Sequence, residues 1–173
     1  MRFWFDELSP RDWFRKSASL DQQISDRFGA TLTAAVSSEL SSWRDTPAGR
    51  LAEILVLDQF SRNIHRDSAS AFGNDPAALA CARQAIDAGA DRALTPQQRA
   101  FLYMPFMHSE ERADHETALE LYQQLGLQNH LKSEREHYAI IERFGRYPHR
   151  NALLGRESTP EEVAFLAERG SSF

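Results

Sequence analysis

TPAGRLAEILVLDQFSRN, residues 46–63, decides how this chain is read. Thr46 before Pro47 is a helix-start signature. The threonine hydroxyl accepts from a free N–H of the first turn, and proline suits the first helical position, where its missing N–H would have no partner. Leu51, Ile54, Leu55, Val56, Leu57, Phe60 and Ile64 then recur at helical spacing but spread over several sides. A helix oily on several sides belongs at the centre of a fold.

Outward from this stretch the same punctuation returns at Ser9-Pro10, Asp75-Pro76, Thr95-Pro96 and Thr159-Pro160. Thr95-Pro-Gln-Gln98 and Thr159-Pro-Glu-Glu162 are fuller capping boxes, in which the third helical residue reaches back to the cap. The spacing predicts helices near 10–16, 20–43, 47–63, 76–89, 96–109, 112–125, 130–144 and 160–169, with Gly89, Gly126 and Gly145 where helix ends favour a left-handed residue. No run alternates between apolar and polar, so the expected class is all-α with about eight helices. Short connections favour antiparallel neighbours. Pairing 20–43 with 47–63, 76–89 with 96–109 and 112–125 with 130–144 gives stacked hairpins in a tetratricopeptide-like array, although that repeat's consensus is absent. No low-complexity linker divides the chain, which reads as a single domain over 1–173.

Composition narrows the function classes. A net charge of −5 argues against a nucleic-acid or anionic-membrane surface. No apolar run approaches the roughly 20 residues that span a bilayer, and the acidic, short N-terminal stretch MRFWFDELSP does not read as a secretory signal. A cytoplasmic address follows by elimination. Cys81 is the single cysteine, so no internal disulfide and no multi-cysteine metal cage can form, and its Ala-rich surroundings (LACARQA) suit a small packed side chain. Of 20 basic residues only Lys16 and Lys132 are lysines. Arginine is the better planar donor to carboxylate and phosphate, although coding-sequence composition accounts for the same bias.

Three stretches put charge and imidazole where helix periodicity wants oil: LDQFSRN (57–63), FLYMPFMHSE (101–110) and FGRYPHRN (144–151). Asp58 shares a face with Leu51, Ile54 and Leu55, and Arg62 follows four residues later. A charge there needs a partner, so the pair either locks helix packing or, with Gln59 and Asn63, lines a pocket. Pro105 removes a backbone donor beside His108, which predicts a kink and open space near that ring. His108-x-Glu110 lacks the paired cysteines of a deaminase zinc site, and residues two apart on a helix point away from each other. Glu134-x-x-His137 has the spacing of a di-iron bundle but no second copy. No metal site and no cofactor are therefore expected. Arg146, His149, Arg150 and Asn151 crowd into a proline-containing turn, where guanidinium forks either hold an anion or cap orphan carbonyls. His65, His115 and His130 read as helix-end or surface residues. No nucleophile elbow, phosphate-binding glycine loop or Cys–His pairing is present.

Those three segments, with Ala71-Phe72, the N-terminal FWF, Asp12-Trp13-Phe14 and LGRESTPEEVAFL, resemble the bacterial domain-of-unknown-function family DUF924 over nearly the whole chain. The resemblance implies an all-helical, tetratricopeptide-like fold and no established activity. Its pattern falls on Asp58, Gln59, Arg62, Asn63, His108, Glu110, Arg146, His149, Arg150 and Asn151, with Ser61 standing where relatives typically carry proline.

The expectation is a binding module whose polar pocket, drawn from those residues and His137, takes an anionic small molecule or an acidic peptide end. An enzyme using Asp58 and His108 as acid and base is the first alternative. A protein whose polar cluster only secures packing is the second. Phe3, Trp4, Phe5, Trp13 and Phe14 could close the core or join two copies into a homo-oligomer.

Overall fold

Leu51, Ile54, Leu55, Val56, Leu57 and Phe60 are all buried, as the oily helix requires. In the computed structural model, which describes residues 1–171, the architecture is all-α, with eight α-helices and no strand among those residues. They are α1 (Ala18–Val36), α2 (Pro47–Leu55), α3 (Ser61–Ile64), α4 (Asp75–Asp87), α5 (Pro96–Met107), α6 (Arg112–Leu125), α7 (Gln128–Phe144) and α8 (Pro160–Leu166). A π-helical turn over Val56–Phe60 joins α2 to α3, so 47–64 is one rod with one widened turn. The turn closes through Ser61 N–H, which donates five residues back to the Val56 carbonyl.

Two elements form the centre. The rod is one; the other is α5, in which every residue from Ala100 to Met107 is buried. Burying a side chain of Leu, Ile or Phe size stabilises by about 1.5–3 kcal/mol, so these two helices hold the largest share of the hydrophobic term. Helix α1 packs on the C-terminal half of the rod, α4 on α2 and α5, α6 on α5, and α7 on α6. A smaller cluster of Ile140, Ile141, Tyr147, Phe144 and Phe165 docks α8 and the turn before it.

The caps at Thr46, Thr95 and Thr159 form as expected, the last two as complete boxes with Gln98 and Glu162. Gly89, Gly126 and Gly145 all take positive φ at helix ends. Two expectations fail. The predicted helix over 10–16 is a turn, because the Ser9 N–H and hydroxyl both donate to Asp12 Oδ2 (2.9 and 2.6 Å) and Ser9 caps nothing. The ordered N-terminal element is instead a π-helical turn, Phe3–Glu7, which sinks Phe3 and Trp4 into the core; Trp4 is 1% exposed. Helix α1 stops at Val36, not 43, because Ser38 adopts φ of 60° and Glu39 N–H returns to the Ala34 carbonyl. A serine makes the left-handed stop that a glycine usually marks.

Gly49, in the first turn of α2, is required by space: a Cβ there would stand 2.0 Å from the Trp43 carbonyl oxygen. Gly49→Ala is therefore expected to destabilise by about 1–3 kcal/mol in urea unfolding, despite alanine's better helix propensity. Gly29→Ala, in α1 with nothing within 4 Å of the new methyl, is expected to stabilise by up to about 1 kcal/mol in the same assay.

Candidate functional site

The widened turn places Asp58 and Gln59 side by side in the interior. A π-turn inserts one residue into the helical register, so neighbours that would diverge by about 100° in an α-helix are re-aimed. Asp58 is 1% exposed, and both oxygens of its carboxylate are engaged. Its Oδ1 lies 2.6 Å from His108 Nδ1 and 3.1 Å from Arg62 Nη1, while Gln59 Nε2 donates to Oδ2 at 2.6 Å. The i, i+4 pairing of Asp58 with Arg62 is thus present, and Arg62 Nη1 also reaches the Asp58 carbonyl at 3.0 Å.

Arg62 then turns its fork to Asp75, at 2.8 and 3.0 Å. Asp75 Oδ2 also accepts from Arg150 Nη1 at 3.2 Å, and Arg150 Nη2 donates to the His108 carbonyl at 3.0 Å. The bonds close a ring: His108 side chain, Asp58, Arg62, Asp75, Arg150, and back to the His108 backbone. Four elements distant in sequence are tied by it: the rod, the start of α4, the end of α5 and the turn Pro148–Arg150. Asp75 is the member that sequence reasoning missed. Asp-Pro read as a helix cap, yet the cap position is Asn74, and the Asp75 carboxylate faces two guanidiniums. Nothing local in the sequence distinguishes the two roles.

The electrostatics follow from burial. Burial pushes the Asp58 carboxyl up, but His108, Arg62 and Gln59 together hold it below its ordinary value. His108 is lowered, chiefly by burial and then by Arg62, against the pull of Asp58. At neutral pH the pair is a carboxylate and a neutral imidazole whose Nδ1–H donates to Asp58, which leaves Nε2 as the ring's acceptor. Arg62 and Arg150 differ. Burial lowers both, but Asp58 and Asp75 outweigh it for Arg62, whereas Asp75 does not for Arg150.

One side of the ring forms the wall of a cavity of about 840 Å³. Gln59, Arg62, His108, His137, His149 and Arg150 all line it. Trp13, Phe14, Phe72, Met104, Met107 and His130 supply a largely apolar share of the same lining. The remaining candidates lie elsewhere and act as clamps. Asn63 bonds Asp21, which also holds Arg66 and ties α3 to α1. Glu110 takes a two-bond grip from Arg156 and the Tyr147 N–H. Arg146 forks onto Glu162 at 2.7 and 2.8 Å, and Asn151 joins Ser158 to Arg156. The contacts of Glu110, Arg146 and Asn151 fasten the segment carrying His149 and Arg150.

Two histidines differ from their sequence reading. His130 lines the cavity. His115 is fully buried: its Nε2 faces the Ser109 carbonyl at 2.8 Å and its Nδ1 faces Glu134 Oε1 at 2.8 Å. A carbonyl only accepts, so Nε2 carries a hydrogen and one further proton lies between Nδ1 and Glu134. Glu134 therefore serves His115 and not His137, three residues on. Among the described residues no cluster of His, Cys, Asp or Glu has the arrangement of a metal site.

Burial pushes His137 down to about 3, and burial with the Arg150 charge pushes His149 down to about 4. Both are neutral when folded but protonate near pH 6.5 when unfolded. The unfolded chain thus binds more protons between these values, and stability is lost as pH falls from about 6.5 toward 3–4. The slope of unfolding free energy against pH from 6 to 4 is expected to drop by up to about 1.4 kcal/mol per pH unit in His137→Gln. An unchanged slope removes the assignment of a neutral buried imidazole. Asp75→Ala strands both arginines and is expected to destabilise by about 3–5 kcal/mol in urea. Lys16→Ala, which breaks only the exposed pair with Asp67, should stay within about 0.5 kcal/mol.

Comparison with known proteins accords with this fold. The chain is similar to the solved structure of a protein of unknown function from Agrobacterium tumefaciens, at 42% identity and a TM-score of 0.90, over 94% of this chain and 92% of that one. No curated protein matches. The family model described as "Bacterial protein of unknown function (DUF924)" matches residues 1–170, the N-terminal aromatic turn and all eight helices included. The chain belongs to the bacterial family DUF924.

Proposed function

We propose that the protein is a cytoplasmic binding module whose cavity takes an anionic small molecule or acidic peptide end, with Arg150 as the anchoring cation. The observation that carries this reading is the state of that guanidinium. Arg150 is 6% exposed and lines the cavity, yet of its five N–H donors one bonds Asp75 and one bonds the His108 carbonyl. Its Nε has no protein partner. A buried cation whose compensation is shared with a second arginine gains more from an incoming anion than one already paired. Two rings flank it, Phe72 at 4.7 Å and Tyr147 at 4.6 Å from the guanidinium carbon, and they fix its orientation without neutralising it.

Gln59, Arg62, His108, His137 and His149 complete the polar lining, and Asp58 holds His108 and Arg62 from the interior. Asn63, Glu110, Arg146 and Asn151 act at a distance, through the clamps they make elsewhere. A second reading, an acid–base enzyme, draws on a separate observation. His108 lines the cavity with Nδ1 held 2.6 Å from Asp58, which leaves Nε2 to exchange a proton with a bound molecule. Among the described residues no helix is long and apolar enough to cross a membrane, in keeping with a ligand met in water.

Thermal unfolding of the wild-type chain is the test, with inorganic phosphate, acetate and benzoate titrated separately. A bound anion at about a hundredfold its Kd stabilises by about 2.7 kcal/mol, a rise of several degrees in Tm. That rise is expected to vanish in Arg150→Gln and to persist in Lys16→Ala. If all three anions leave Tm unmoved, or Arg150→Gln responds like wild type, the cluster is a packing device and the binding reading fails.

A further inference from the structure

We infer that the cavity selects a flat aromatic acid with a single negative charge, its carboxylate at Arg150 and its ring among Trp13, Phe14, Phe72 and His137. This rests on the anion-binding reading and names the ligand class for that site. Three features of the wall carry it.

The first is the kind of surface that surrounds the arginine. Trp13, Phe14, Phe72, His130, His137 and His149 present ring faces and edges to one space, with the Met104 and Met107 thioethers between them. Aromatic rings gain from offset or edge-on contact with other rings beyond the area they bury, and thioether sulfur also favours a ring. A saturated body of equal size collects only the area term.

The second is that the rings are held in place before anything binds. Trp13 Nε1 donates to the Trp4 carbonyl at 2.8 Å, and its ring meets Phe101 edge-on at 5.0 Å. His137 Nδ1 donates to the Ser133 carbonyl at 2.7 Å, and Phe72 lies under both Arg62 and Arg150. Preorganised rings lose little rotamer freedom on binding. Phe14 is the exception in exposure: 65% of it meets solvent at the cavity rim, an apolar ring that a bound aromatic body would cover.

The third is charge. Asp58 and Asp75 formally balance Arg62 and Arg150, but Asp75 is shared between the two arginines and Arg150 Nε has no partner; burial keeps His108, His130, His137 and His149 neutral at physiological pH. One under-compensated guanidinium suits a single carboxylate. A phosphate monoester brings close to two charges and would leave one unmatched in a low-dielectric site. A volume near 840 Å³ admits a one- or two-ring acid in the ordinary range of small-molecule sites.

Isothermal titration of the full chain with indole-3-acetate, cyclohexanecarboxylate, inorganic phosphate and indole separates the contributions. Indole-3-acetate is expected to bind about tenfold tighter than cyclohexanecarboxylate and tighter than phosphate, the gain of one or two ring–ring contacts. Indole, without the acid, should bind weakest. Phe14→Ala, at an exposed position that does not threaten folding, should erase most of the tenfold preference, because indole-3-acetate loses ring–ring contact as well as area and cyclohexanecarboxylate loses area alone. Arg150→Gln, checked by circular dichroism, should lose both acids together. Equal affinity for the two acids, a phosphate preference, or a Phe14→Ala variant that keeps full discrimination overturns the aromatic assignment and leaves anion binding standing. Wild-type protein that takes up none of the three anions overturns both.

Discussion

Asp75 between Arg62 and Arg150 is the contact on which the rest of the molecule turns. One carboxylate at the start of α4 holds a guanidinium from the central rod and another from the C-terminal turn. Arg62 in turn holds Asp58, and Asp58 holds His108. Each charge in that circuit would be expensive in an apolar interior alone, and each is tolerable because the next bond satisfies it. The desolvation of four ions makes such a circuit a poor source of net stability. Its effect is positional: four elements remote along the chain must meet in one arrangement for any of the charges to be neutralised.

The hydrophobic framework makes that arrangement reachable. The rod and α5 supply a core that is almost wholly apolar, and the polar ring sits where the two approach the C-terminal turn. The widened turn over Val56–Phe60 lets one helix serve both purposes. Asp58 and Gln59 face inward without forcing Leu55, Val56, Leu57 or Phe60 out to solvent. Around the ring a layer of ordinary ion pairs, Arg146 to Glu162 and Arg156 to Glu110, fastens a segment that has little core of its own. That segment carries His149 and Arg150. The binding reading therefore depends on surface chemistry as much as on the interior.

Much of this was legible in the residues themselves. Threonine–proline caps and helical spacing located the helices from 47 onward closely, because both signals arise within a turn or two of backbone. Burial of Asp58 and its pairing with Arg62 followed from the oily face it shares. The same local logic misread Asp75 as a cap and Ser9 as a helix start, and it did not show that His115, near the start of α6, is fully buried. It also grouped all the candidate residues into one pocket. Asn63, Glu110, Arg146 and Asn151 share motifs with the cavity residues, yet their partners Asp21, Arg156, Glu162 and Ser158 draw them elsewhere.

Local sequence determined the class of structure, the helix starts, the central place of residues 47–64 and the need for a partner beside Asp58. Each of these depends on interactions spanning at most a few residues, whose energies do not change with the rest of the chain. Tertiary structure alone decided that Asp75 bridges Arg62 and Arg150, which histidines share a cavity, and that Arg150 Nε is left without a partner. Those outcomes depend on distances between residues 50 and 75 positions apart, such as Asp58 to His108 and Asp75 to Arg150. Charge attraction acts without regard to sequence order, so only the packed helices select the pairs.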